Sequence, residues 1–182
     1  MASAASTLTE RQPAFWSVRR RRLYGAFALT GLVLSAGQSL ISWRDHHAFL
    51  INATQSLPNW AFLIERGAFP KRGDYVFFDP PRSALVNRHF GARPAMFGKI
   101  VYGVGGDIVS RLDRTFYVDG HRVAVAKTVS RLGEPLALGP VGRIPAGCYF
   151  VGSPHKDGLD SRYAAIGWPC AKQVIGTGTP IL

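Results

Sequence analysis

Residues Leu23–Trp43 read LYGAFALTGLVLSAGQSLISW, 21 residues without one charged side chain. An α-helix rises 1.5 Å per residue, so about 20 predominantly apolar residues cross a hydrocarbon layer about 30 Å thick. Ser35, Gln38 and Ser39 temper the apolarity, but uncharged polar side chains are tolerated in such a span. Tyr24 and Trp43 stand at its two ends, where interfacial aromatic residues sit. Arg19-Arg20-Arg21-Arg22 directly precedes it. Basic residues stay on the cytoplasmic side. The expected organisation is therefore a cytoplasmic basic tail (1–22), a transmembrane anchor (23–43) and an outer domain (44–182), periplasmic in a bacterium. A cleaved signal peptide has an apolar core of about 7–15 residues before a small-residue cleavage site. Here the apolar stretch is longer and runs into Arg44-Asp45-His46-His47. A retained single-pass anchor in the bacterial inner membrane fits better. The arginine block argues equally against a buried core helix.

The anchor accounts for part of an unusual charge. The net charge is +11, of which residues 1–22 contribute +4 from five arginines and one glutamate. The other +7 is spread without a Lys/Arg cluster, so the basic character points to a lipid bilayer and not to nucleic acid. With 47% hydrophobic and 18% charged residues the chain is no disordered tail.

Beyond the anchor, short apolar runs alternate with breakers. Ala48–Asn52 (AFLIN), Tyr75–Phe78 (YVFF), Lys99–Val104 (KIVYGV), Cys148–Gly152 (CYFVG) and Gln173–Gly176 (QVIG) read as strands. Phe116–Val118, Asp119-Gly120 and His121–Val125 read as a hairpin, because Asp-Gly suits a type I′ turn. Segment 127–147, rich in Gly and Pro, reads as a surface excursion. The expected fold is mainly β, an antiparallel domain on one N-terminal transmembrane helix. Cys148 and Cys170 match no metal spacing, which leaves a disulfide or two buried thiols open. The five histidines read as surface residues, and neither a metal nor a cofactor is expected.

Peptide-bond chemistry needs an activated nucleophile, a base and oxyanion donors. Ser56 ends an apolar run in Asn52-Ala53-Thr54-Gln55-Ser56-Leu57-Pro58, where proline restricts Leu57 to extended geometry. Lys99 begins an apolar strand. If buried it loses its charge readily and can act as a base. Asp157–Tyr163 (DGLDSRY) alone would read as a solvated turn.

Together these pieces resemble the type I signal peptidase superfamily of serine/lysine peptidases. Four blocks occur in the family's order: Thr54-Gln55-Ser56-Leu57-Pro58; Lys71-Arg72-Gly73-Asp74-Tyr75-Val76-Phe77-Phe78; Lys99–Asp107 (KIVYGVGGD); and Asp160-Ser161-Arg162-Tyr163. The resemblance covers roughly residues 20–176 and is nearest to the conjugative-transfer (TraF) type. It implies a signal-peptidase-like β domain with catalytic Ser56 and Lys99, joined by Asp160. The Ser56 backbone N–H and the Thr54 hydroxyl would form the oxyanion hole, and Arg162 would give support. The implied substrate is a membrane-inserted precursor carrying a signal peptide, or the precursor of a transfer pilin, whose ends some family members join into a ring.

Two departures follow from the same resemblance. Ile100 replaces the arginine after the lysine. Gly158 stands where the general enzymes place a serine that contacts the lysine. Asp160 is left either to orient Lys99 or to pair with Arg162. Twelve residues separate Trp43 from Ser56, so the site is expected near the outer membrane surface. Leu57, Trp60, Phe62 and Leu63 would either rest on lipid or pack in the core. The rival readings are a general signal peptidase, a non-catalytic assembly subunit and a self-cleaving regulator. The last would need a DNA-binding domain, for which residues 1–22 are too short.

Overall fold

The computed structural model describes residues 17–52 and 56–181. The chain divides between Trp43 and Arg44 into two compact units. In the first, helix α1 (Val18–His46, continuing three residues past the boundary) contains the uncharged stretch and buries no residue. Its 29 residues would extend about 44 Å at 1.5 Å per residue. The uncharged stretch within it is apolar on all sides, as a helix facing hydrocarbon is. Helix α1 is long and apolar enough to cross a membrane.

The second unit is two antiparallel sheets. Its strands are β1 (His47–Ile51), β2 (Ala61–Arg66), β3 (Tyr75–Phe78), β4 (Phe97–Gly103), β5 (Ile108–Leu112), β6 (Thr115–Val118), β7 (His121–Val125), β8 (Gly142–Arg143), β9 (Phe150–Gly152) and β10 (Val174–Pro180), with the short helix α2 (Ala84–Phe90) between β3 and β4. The larger sheet runs β1-β2-β10-β3-β4-β9 and the smaller β7-β6-β5-β8. The mainly β, antiparallel architecture with one apolar N-terminal helix is thus the one the sequence pattern predicts.

The local reasons are readable. Strand β4 alternates buried and half-buried residues along its whole length, burying Phe97, Lys99, Val101 and Gly103, as a strand with one core face must. The β6–β7 hairpin closes through Asp119 and Gly120, both at positive φ (47° and 78°), the signature of the type I′ turn. Strand β10 inserts between β2 and β3. Gly178 permits this, since a Cβ there would collide with the Phe77 ring. Helix α2 starts at Ser83, whose hydroxyl accepts the Val86 N–H, a standard N-cap.

The structure decides several readings that the sequence leaves open. Strand β2 is not evident from the sequence, because its apolar residues suit lipid and core equally. Phe62 and Ile64 are fully buried and Leu57 nearly so, packed with Phe77, whereas Leu63 is half-buried and Trp60 exposed. Period-2 alternation divides the group. Segment 127–147 runs mostly over the surface, as its glycines and prolines predict, and dips inward at Leu136, Gly139 and Ile144. Leu136 and Ile144 enter the core with Phe116 and Phe150, and the Arg114 guanidinium caps the carbonyls of Ala126, Lys127 and Leu136. The cysteines are joined: Cys148 and Cys170 form a disulfide.

Candidate active site

Ser56 sits on the turn linking β1 to β2, and three hydrogen bonds from one residue hold that turn. The Asn52 backbone N–H donates to the Trp60 carbonyl (2.7 Å). Its side-chain amide donates to the Leu57 and Asn59 carbonyls (3.2 and 3.0 Å). The Tyr75 hydroxyl then donates to Asn59 Oδ1 (3.0 Å). Leu57 is anchored among Phe62, Ile64 and Phe77, so the residue after Ser56 is nailed to the core. The sequence alone assigns Asn52 no such role. Its position at the exit of an apolar run, before a Ser-Leu-Pro turn, was the available signal. Thr54 lies outside the described residues.

The second block builds the floor beneath β4. The Asp74 carboxylate accepts the Lys71 N–H, the Gly73 N–H donates to the Val101 carbonyl, and the Val101 N–H donates to the Asp74 carbonyl. Arg72 bridges Asp107 (2.7 Å) and Asp119 (2.8 Å). The second and third sequence blocks are therefore one structural unit carrying the lysine strand.

Lys99 lies on the core face of β4, 3% exposed, with Val76 opposite it on β3 and Phe97 and Val101 beside it. Burial is the main reason its amine is held below the ordinary lysine value. The Asp160 carboxylate opposes that depression and the Arg162 guanidinium adds to it. Among the described residues the amine makes no ion pair and no hydrogen bond, and it stands 5.8 Å from the centroid of the Phe97 ring. Such a lysine sheds its proton far more readily than a solvated one.

Asp160 and Arg162 form a buried ion pair, 0% and 3% exposed. Arg162 Nε and Nη2 donate to the two carboxylate oxygens at 2.7 and 2.8 Å. The same carboxylate accepts the backbone N–H groups of Arg162 and Ser153. Of the two roles left open for Asp160, pairing with Arg162 has the contacts. Toward Lys99 it acts through space. A Cβ on Gly158 would collide with Ser153 Oγ and stand 3.0 Å from Arg162 Nη2, which explains the missing side chain there.

Ser56 and Lys99 line one cavity of about 1050 Å³, together with Leu57, Phe97 and Gly158. Segment 127–136 contributes Lys127, Val129, Ser130, Arg131 and Leu136. Lys127 and Arg131 both pair with Asp157 at 2.6 and 3.2 Å. His89 and His155 also line the cavity and are half-buried, against their reading as surface residues. His89 bonds Glu134 at 2.5 Å, and Glu134 accepts the Ser130 hydroxyl as well. No cluster of metal-ligating side chains occurs among the described residues. A hydroxyl on a held turn and a buried amine lining the same cavity are two of the three parts acyl transfer needs, the third being donors for the oxyanion.

A crystallised signal peptidase I from Enterococcus faecalis shares 25% identity, covering 60% of this chain and 97% of that one, with a TM-score of 0.39. No curated protein matches. The family model described as "Signal peptidase, peptidase S26" matches residues 22–182. With its apolar N-terminal helix and β domain matched almost throughout, the chain belongs to the signal peptidase family, membrane-anchored serine peptidases that cleave signal peptides from membrane-translocated precursors.

Proposed function

We propose that this chain is a Ser/Lys endopeptidase in which Ser56 is the nucleophile and Lys99 its general base. The observation that carries the reading is the burial of an unpaired lysine amine on the cavity that Ser56 also lines. A neutral Lys99 takes the Ser56 proton as the hydroxyl attacks the scissile carbonyl. It then returns that proton to the leaving amine. The Ser56 N–H and the Thr54 hydroxyl receive the oxyanion, and loss of one such donor typically costs about 10²–10³ in rate. Asp160 and Arg162 act behind the site, holding the strand end and balancing the charge that Lys99 meets. Residues 1–22 lie in the cytoplasm, 23–43 span the inner membrane, and 44–182 work outside it.

The substrate is a membrane-inserted precursor, and we assign it to the pilin of a conjugative-transfer apparatus. Support comes from the Asn52-x-Thr54-x-Ser56-Leu57-Pro58 block and from glycine at 158. Asn52 clamps the nucleophile turn, so that block has a structural purpose here. Water releases the acyl-enzyme, or the substrate's own amine does so in a cyclising reaction.

The test is mass spectrometry of the mature pilin from cells carrying the native enzyme, Ser56→Ala or Lys99→Arg. Arg keeps the charge but does not release its proton near neutral pH. Both variants should leave the precursor uncut. Full processing by either would end the proposed dyad. Unchanged pilin alongside accumulating secretory precursors would move the substrate to general secreted proteins.

A further inference from the structure

A neutral amine that accepts a hydroxyl proton must point its lone pair at that hydroxyl, so its own N–H groups need acceptors elsewhere. Asp160 is poorly placed to serve, since both of its oxygens already accept from Arg162 and one also from the Ser153 N–H. The register identifies another group. Val101 pairs with Val151 and Ile100 with Gly152. Strand β9 ends at Gly152, and carrying that register one residue past its end sets Ser153 opposite Lys99, on the face of Val101 and Val151. Ser153 is 4% exposed. Its hydroxyl has one long hydrogen bond, to the His155 carbonyl at 3.4 Å, so its lone pairs are uncommitted. The hydroxyl occupies space that exists only because residue 158 has no side chain.

We infer that Ser153 is a positioning residue whose hydroxyl, donating to the His155 carbonyl, accepts an N–H of Lys99 and turns the amine's lone pair toward Ser56. The inference rests on the reading of Ser56 and Lys99 as nucleophile and base. Ser153 is fixed, because its N–H is held by Asp160. Lys99 has rotatable side-chain bonds and swings its amine to the hydroxyl as the proton moves. The charged and titratable groups around the amine are Asp160 and Arg162 behind it and His89, Lys127, Arg131, His155, Asp157 and Tyr163 around the cavity. All stay in place in the variants below.

The full chain in detergent micelles, with ¹³C-labelled lysine, gives a direct readout: the Lys99 Cε resonance followed against pH and assigned with Lys99→Met. An acceptor favours the ammonium over the amine. Ser153→Ala should therefore lower the Lys99 midpoint, by about one pH unit. The near-isosteric Ser153→Cys should shift it the same way, and Ser153→Thr should leave it in place. Gly158→Ser alone should destabilise the fold through its collision. Ser153→Ala combined with Gly158→Ser should return a hydroxyl to the same space and restore the midpoint. With a membrane-inserted precursor bearing Ala-x-Ala before the scissile bond, Ser153→Ala should lower kcat roughly tenfold with KM unchanged, and the double variant should recover.

A midpoint that stays put in Ser153→Ala and Ser153→Cys, or rises as loosened packing and entering water would make it, overturns the inference. A Lys99 titrating at the ordinary value in the unmodified chain is a different failure, because it removes the Ser56/Lys99 reading itself.

Discussion

Replacing Arg162 with methionine removes a guanidinium whose three nitrogens are all engaged. Nε and Nη2 hold Asp160, Nη1 donates to the Val125 carbonyl, and Nη2 also reaches the His155 and Gly158 carbonyls. The change leaves Asp160, which is fully buried, charged and with only backbone N–H donors. Removing one partner of a buried pair costs about 3–5 kcal/mol. At about 2–4 °C per kcal/mol for a domain of this size, the melting temperature should fall by roughly 6–20 °C. Asp160→Leu alone should cost a similar amount, since it strands the guanidinium. The double variant trades the pair for apolar volume and should lie within about 2 kcal/mol of the parent. Urea unfolding in micelles, followed by circular dichroism, closes the double-mutant cycle. A second consequence falls on Lys99. Arg162 holds its amine down and Asp160 pushes it up, so Arg162→Met should move the acid limb of cleavage to higher pH. An Arg162→Met variant within about 1 kcal/mol of the parent, or a double variant as costly as the two singles combined, would refute the reasoning.

Three further outcomes are expected. Lys99→Met should stabilise the protein at neutral pH. The folded lysine titrates below its ordinary 10.5, so the unfolded chain binds more protons between those two values and the native protein gains stability as pH rises through that window. The methionine advantage should be greatest below the folded midpoint and shrink toward pH 10.5, as thermal melts across that range would report. Asn52→Ala removes two side-chain hydrogen bonds from the nucleophile turn and should cost about 1–3 kcal/mol. It should lower kcat more than it raises KM in precursor cleavage, because Ser56 is left less well held. Replacing both cysteines by serine opens a covalent link across 22 residues and should cost about 3 kcal/mol on the loop-entropy model. It should leave the Lys99 titration where it is, a point the ¹³C experiment also checks.

Hydrophobic patterning made much of the fold legible. The strands at Tyr75–Phe78 and His121–Val125 follow directly from apolar runs ended by turn residues, and Asp119-Gly120 chose its own turn type. Strand β2 escaped because Trp60, Phe62 and Leu63 are equally at home on lipid or in a core. Only the partners Phe77 and Tyr75 decide that Phe62 turns inward. Strand β5 (Ile108–Leu112) escaped for the opposite reason: of its five residues only Val109 is buried, so no apolar alternation announces it.

What the sequence determined by itself was local: an uncharged span behind four arginines, strand-forming runs between breakers, and a serine, a lysine and an Asp-Ser-Arg-Tyr block in a set order. None of these has meaning as chemistry until side chains far apart in the chain are brought to one wall. The tertiary structure decided that Lys99 points into the core and not into water, that Asp160 spends its charge on Arg162, and that Ser153 fills the space left by Gly158. Each outcome depends on burial and on pairing across strands. Those are properties of neighbours in space, which spacing along a chain does not encode.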